Sequence, residues 1–243
     1  MVVKGGPVLI RAWMQQVLTL RQEHGIEVIW VTSGAIASAV SRTRLGKTDG
    51  NLAKKQALSA IGQPILVDLY NLCLQATGLL GAQVLLTYGD IADHRRRRNL
   101  QNTLEQLLTW KVIPILNEND AIATEEIRFG DNDSLSAKVA SAMRAERLVI
   151  LTDVEGLYDS NPKANRHARL ISRLARVDRK QLAATDRKRG SESGTGGMYS
   201  KLLAAQAASR AGIETWLVKG DLPSILLKVA ADEIVGTRIG GAK

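Results

Sequence analysis

The chain changes character abruptly at residue 117, and that change limits what it can fold into. Val112, Ile113, Pro114, Ile115 and Leu116 form an apolar, β-branched run that reads as a buried strand. Residues 117–137, NENDAIATEEIRFGDNDSLSA, then bring six carboxylates and three asparagine amides into one short span. A buried core excludes so many charges, and an ordinary surface loop has no use for so many short, rigid polar groups, so the span reads as a polar site. Asn117, Glu118, Asn119 and Asp120 follow the strand directly. In open α/β sheets ligands bind beyond the carboxyl ends of strands. Further on, Asp131, Asn132, Asp133 and Ser134 precede a helix-forming run, with Asp133 or Ser134 as its natural N-cap. Taken alone, such a cluster is equally readable as a solvated turn that caps a helix. Two clusters, the first on a strand end, favour a site.

The same pattern recurs along the chain. Residues 27–31 read as a strand running into Thr32, Ser33 and Gly34, where Ser33 can cap a helix that begins at glycine. Residues 82–87 form another strand, and residues 148–151 a further one that ends in Thr152 and Asp153. Helical patterns lie between them: one with its apolar positions over 7–20 and closed by Gly25, 52–80 with a break at Gly62 and Pro64, and 100–110. Residues 161–190 are polar and basic, with a short strand candidate at 170–171, and suit a peripheral hairpin or lid. Thr195, Gly196, Gly197, Met198, Tyr199, Ser200 and Lys201 open the helix expected at 202–211, which Gly212 stops. Glycines at a helix start with a lysine in its first turn suit polyphosphate, although the P-loop pattern is absent and glycine loops also serve as plain turns. A strand at 215–218 and a strand-rich tail close the chain. Alternating strands and helices predict an α/β fold, a mostly parallel open sheet sandwiched between helices.

At its amino end the chain reads as a short strand delivering Lys4 and a glycine turn toward phosphate. A strand, a phosphate loop and a helix start need more chain than Lys4 to Arg11 provides, so extra residues are expected there in the native polypeptide. The 243 residues, 45% of them hydrophobic, suffice for one large domain or two small ones, and the chain is read as one domain, 1–243. One cysteine, Cys73, excludes an internal disulfide framework and suits a reducing, cytoplasmic setting with Cys73 packed on a helix. No signal peptide and no apolar run of membrane-spanning length is read, so no membrane partner is expected. The net charge of +9 suits anionic small molecules as well as nucleic acid. The run His94, Arg95, Arg96, Arg97, Arg98 is read as a solvated face, and without zinc spacing or interleaved aromatics nucleic acid is not expected as a partner.

Five stretches taken together carry a resemblance: VTSGAIA at 31–37, NENDAIAT at 117–124, GDNDSLSA at 130–137, LTDVEGLY at 151–158 and GTGGMYSKL at 194–202. In this order they resemble the glutamate 5-kinases of the amino acid kinase family, over nearly the whole chain. The resemblance implies the amino acid kinase fold and an enzyme that phosphorylates the side-chain carboxylate of L-glutamate with ATP and Mg²⁺, the first step of proline biosynthesis. It places Ser33, Asn117, Asp120 and Asn132 on glutamate, with Asp120 on the α-ammonium and Asn132 and Ser33 on the carboxylates. Thr152, Asp153 and residues 195–201 fall on ATP. Lys4 and Lys201 match the two phosphate-binding lysines and Asp133 the aspartate that orients them, while no residue is assigned as a metal ligand. A homo-oligomer and feedback inhibition by proline are further implications.

Three departures from the family pattern stand out. Lys4-Gly5-Gly6-Pro7 is short and lacks the hydroxyl that follows the first lysine in the family; the C-terminal PUA domain of many members is absent from this chain; and residues 94–98 are unusually basic. The alternatives are a related kinase with another acid or phosphate acceptor, and a binding protein that keeps the fold without catalysis.

Overall fold

A computed structural model describes residues 6–43, 45, 51–123, 132–162, 164–185 and 197–241 of the chain. The chain divides into two compact units, Met1–Asn132 and Asp133–Lys243. The opening strand read at Lys4 lies outside the described residues, as does the span from 124 to 131.

In the first unit, α1 (Gly6–His24) buries Ile10, Trp13, Met14, Val17 and Leu20 at helical spacing. It ends at His24, and Gly25, the residue expected to close it, takes φ 65° and turns the chain out so that Ile26 N donates to Leu20 O at 3.0 Å. β1 (Trp30–Val31) is shorter than the strand predicted at 27–31. Trp30 pairs with Ile115, so Ile29 falls opposite Pro114, which has no N–H to extend the ladder. Glu27 instead binds Arg21 at 2.6 Å and Lys111 at 2.9 Å.

α2 (Ala35–Arg42) follows, and then α3 (Leu52–Gln75), capped by the Asn51 side chain accepting from Lys54 N at 3.1 Å. The break predicted at Gly62 and Pro64 is absent: α3 is continuous through both. Gly62 is a packing residue, since a Cβ there would collide with the carbonyl of Ala35, and α2 and α3 lie against one another. The expected result for Gly62→Ala is a loss of about 1–3 kcal/mol from overpacking, read as a fall in Tm. An unchanged Tm would mean that α2 shifts freely. The apolar 18-residue window of α3, at mean hydropathy 1.3, makes it long and apolar enough to cross a membrane by length and composition, where the sequence reading predicts no such run. Its buried residues, Leu58, Gly62, Leu66, Tyr70 and Leu74 among them, recur as one helical stripe, and Cys73 is buried there as expected.

β2 (Leu80–Leu86), α4 (Tyr88–Ala92), α5 (His94–Thr109) and β3 (Val112–Glu118) complete this unit. The basic run opens α5, where the positive end of the helix dipole disfavours cations. Asp93 offsets this by capping Arg96 N at 2.8 Å, and Asp90 by binding the Arg96 guanidinium at 3.1 Å. The sheet order is β1-β3-β2, all parallel, with Val31 opposite Leu116 and Leu86 opposite Glu118. All three carboxyl ends therefore open on one edge.

The second unit contains all but the first residue of α6 (Asn132–Ala142), followed by β4 (Arg147–Thr152), β5 (Arg173–Leu174), α7 (Arg179–Ala184), α8 (Met198–Arg210), β6 (Glu214–Lys219), α9 (Ile225–Ala230) and β7 (Thr237–Ile239). Its sheet order is β4-β6-β7-β5, parallel except for the β6–β7 pair. The α/β class and the predominance of parallel pairing agree with the sequence, and the described strands group into two sheets, one per unit. The strand candidate at 170–171 is only a bridge from Leu170 to Tyr158, and the strand-rich tail contains α9. The core packs Leu202, Ala204, Ala205 and Ala208 of α8 with Ile150 and Leu217 of the sheet. The small alanines let α8 approach closely.

Candidate active site

Each unit holds one of two polar clusters. In the first unit, Thr32 N donates to Leu116 O at 2.8 Å and Asn119 N to Leu86 O at 2.7 Å, which ties the chain beyond each strand to its neighbour. Ser33 thus sits at the same sheet edge as Asn117 to Asp120. It does not occupy the expected capping position: the N-cap of α2 is Gly34, at φ 106°, a left-handed conformation that glycine adopts without strain.

Asn117 and Glu118 are buried although they end the strand. Asn117 Oδ1 accepts from Glu118 N at 2.9 Å and from Asn132 Nδ2 at 3.1 Å, while its Nδ2 donates to Gln63 Oε1 at 3.1 Å. These three bonds commit both ends of the amide to protein partners. Asp120 is held from α3, its Oδ2 accepting from Ser59 Oγ at 3.0 Å. Burial raises the Asp120 carboxyl above its ordinary value, and the Ser59 bond only partly offsets this. Among the described residues no cation pairs with this half-buried carboxylate, an environment that could accept an ammonium group.

In the second unit, Asp133 stands in the first turn of α6 rather than at its cap, because the helix already begins at Asn132; Ser134 is likewise inside it. Asp133 Oδ2 accepts from Lys201 Nζ at 2.8 Å and lies 2.9 Å from Ser200 Oγ, which is also 2.8 Å from Gly197 O. Gly197 is the N-cap of α8, and Met198, Tyr199, Ser200 and Lys201 form its first turn, four residues ahead of the start expected at 202. Side chains of Lys201 and Asp133 are 13% and 17% exposed, so the pair is largely withdrawn from water yet open on one side. Among the described residues Asp133 takes one of the three ammonium N–H donors, and the other two can serve further oxygens. At the carboxyl ends of β4 and β6, buried Thr152 lies opposite Lys219, with Thr152 Oγ1 donating to Asp153 Oδ1 at 3.2 Å. Lys4, Thr195 and Gly196 lie outside the described residues.

Sequence reasoning missed Ser59 and Gln63, which bind the first cluster from α3. A lone serine or glutamine inside an apolar helix carries no spacing signal. Among the described residues no group of three or more His, Cys, Asp or Glu side chains gathers as a metal site.

The model of the amino acid kinase family matches residues 2–219. A glutamate 5-kinase from Hydrogenovibrio crunogenus is 42% identical over 225 residues, 93% of this chain and 59% of the relative. One from Desulfitobacterium hafniense is 46% identical over 217 residues, 89% of this chain and 58% of the relative. The chain thus spans about three fifths of the length of these curated relatives. Among solved structures, the isopentenyl phosphate kinase of T. acidophilum superposes with a TM-score of 0.62 at 15% identity, covering 96% of this chain and 90% of that one. The UMP kinase of Bacillus anthracis gives 0.59 at 15% identity, covering 96% and 87%. At such identity the likeness concerns the fold.

Proposed function

The chain belongs to the amino acid kinase family, and from that premise we propose that it transfers the γ-phosphoryl group of ATP to the side-chain carboxylate of L-glutamate, the first step of proline biosynthesis. One observation carries the choice of acceptor: the identity of 42% to a glutamate 5-kinase runs over 225 residues, more than either unit holds, so it takes in both polar clusters.

The chemistry asks little of the protein beyond placement and charge. A free glutamate side chain titrates at about pH 4.3 and is already ionised at neutral pH, so no general base is needed. A carboxylate oxygen attacks the γ-phosphorus, the bond from that phosphorus to the β–γ bridging oxygen breaks, and ADP leaves with the electron pair. No proton moves. What the protein supplies is alignment and neutralisation of the charge on the transferred group.

In this reading Ser33, Asp120 and Asn132 hold glutamate, and Asn117 acts from behind them. Lys201 neutralises charge on the phosphoryl group, and Asp133 fixes its ammonium in place. Lys4 is assigned the second phosphate contact, and Thr152, Asp153 and residues 195–200 the nucleotide. An ATP-borne Mg²⁺ would be held mainly by phosphate oxygens and water, with few protein ligands, and would supply countercharge to the phosphates. The proposal also includes a single kinase domain over 1–243, work in the cytoplasm, a homo-oligomer and proline as feedback inhibitor.

The test is ATP-dependent hydroxamate formation with hydroxylamine as trap, with several acids compared at equal concentration. Glutamate is expected to react, with N-acetylglutamate and glutarate poor because each leaves Asp120 without an ammonium. Aspartate, one methylene shorter, is expected to hold its carboxylate out of line. Equal rates for glutamate and N-acetylglutamate would transfer the assignment to a neighbouring kinase. No rate with any acid would favour a binding protein.

A further inference from the structure

Gln63 lies in the middle of α3 with 5% of its surface exposed, and the reaction proposed above gives it no task. Its Nε2 donates to Glu118 O at 3.0 Å, a backbone carbonyl that can only accept. Its Oε1 must then face the other way, where it accepts from Asn117 Nδ2 at 3.1 Å and from Gln83 Nε2 at 3.4 Å. Asn117 Oδ1 in turn accepts from Glu118 N at 2.9 Å, a backbone group that can only donate, and from Asn132 Nδ2 at 3.1 Å. The two backbone groups of Glu118 thus set the sense of the whole chain of amides. Turning over Gln63 or Asn117 would set oxygen against oxygen and nitrogen against nitrogen in a buried place.

The consequence appears at the far end. Asn132 must give its nitrogen to Asn117 and keep its oxygen as an acceptor, and that oxygen is buried without a hydrogen-bond partner among the described residues. A carboxylate cannot satisfy it, whereas an N–H donor can.

We propose that Gln63 is a positioning residue for the acceptor: through Asn117 it holds the Asn132 amide with its oxygen offered to the α-ammonium of the bound amino acid. This rests on the glutamate reading above and changes one part of it, because the resemblance gives Asn132 to a carboxylate. Asp120 and Asn132 then share the ammonium, one supplying charge and the other a fixed direction.

Steady-state kinetics on Gln63→Leu, Gln63→Glu, Asn132→Ala and the Gln63→Leu/Asn132→Ala double variant test it. Gln63→Leu is expected to raise the KM for glutamate about tenfold or more, with the KM for ATP within about twofold. Gln63→Glu keeps an acceptor for Asn117 in either protonation state, so its KM for glutamate is expected within about threefold of the parent even if its Tm falls. In the Asn132→Ala background, Gln63→Leu is expected to add nothing, because its effect passes through the missing amide. A merely structural role would leave the effects additive. A flat KM in Gln63→Leu, an undiminished effect without the Asn132 side chain, or a tenfold rise in Gln63→Glu would each overturn the role of Gln63 while the proposed reaction stands. Should Gln63→Leu fail to fold, Gln63→Glu decides alone by the same threshold. A parent protein with no glutamate-dependent turnover overturns the reaction itself, and the ammonium assignment with it.

Discussion

Replacing Lys201 with methionine is expected to lower kcat by about 10²-fold or more while changing the KM for glutamate little. The ammonium is held 2.8 Å from Asp133 at the start of α8, and in the proposed reaction its other donors would act on charge that grows as the phosphoryl group transfers. A contact of this kind stabilises the transition state more than the ground state, so its loss falls on turnover. The variant also removes the charged partner of the Asp133 carboxylate while the Ser200 bond at 2.9 Å remains. Thermal melting should therefore accompany the kinetics, and a folded variant with near-normal kcat would make Lys201 only a structural partner of Asp133.

Asp120→Asn is expected to raise the KM for glutamate about 10- to 100-fold, the usual worth of a hydrogen bond to a charged partner, without loss of stability. The sign of the second effect follows from the carboxyl being raised by burial. The folded chain binds more protons at Asp120 than the unfolded chain between the ordinary carboxyl value and the raised one, so its contribution to stability falls as pH rises through that window. At neutral pH the ionised group costs the ligand-free protein stability, a cost that glutamate would offset through its ammonium if it binds as proposed. An amide removes that cost together with the binding. The ligand-free Tm of Asp120→Asn at neutral pH should match or exceed that of the parent, and glutamate should shift the parent Tm far more than the variant's. A lower ligand-free Tm with an unchanged KM would make Asp120 a structural residue.

The strands were legible because buried parallel strands are continuous apolar runs, as at 112–116 and 148–151, and polar residues at their carboxyl ends mark the binding edge. Fold class and the first polar cluster followed from that. Gly62 was misread because a glycine that ends a helix and one that admits a neighbouring helix look alike in one dimension. Its reason lies at Ala35, 27 positions away. The start of β1 was misplaced because its length is set by Pro114 on another strand. Asp133 looked like a cap by residue type, and only the helix start at Asn132 frees its carboxylate to take Lys201. Gln63 gave no signal, since its task depends on two backbone groups of Glu118 reached across the fold.

The central claim is that a glutamate carboxylate oxygen becomes bonded to the γ-phosphorus of ATP. The most direct measurement uses glutamate labelled with ¹⁸O in both side-chain carboxylate oxygens, ATP of natural abundance, and hydroxylamine to cleave the product at its carbonyl carbon. The phosphate released in that cleavage should then carry one ¹⁸O per molecule, seen as the isotope shift of its ³¹P resonance. Glutamate-dependent phosphate without ¹⁸O, or phosphate formed at the same rate without glutamate, would contradict the account.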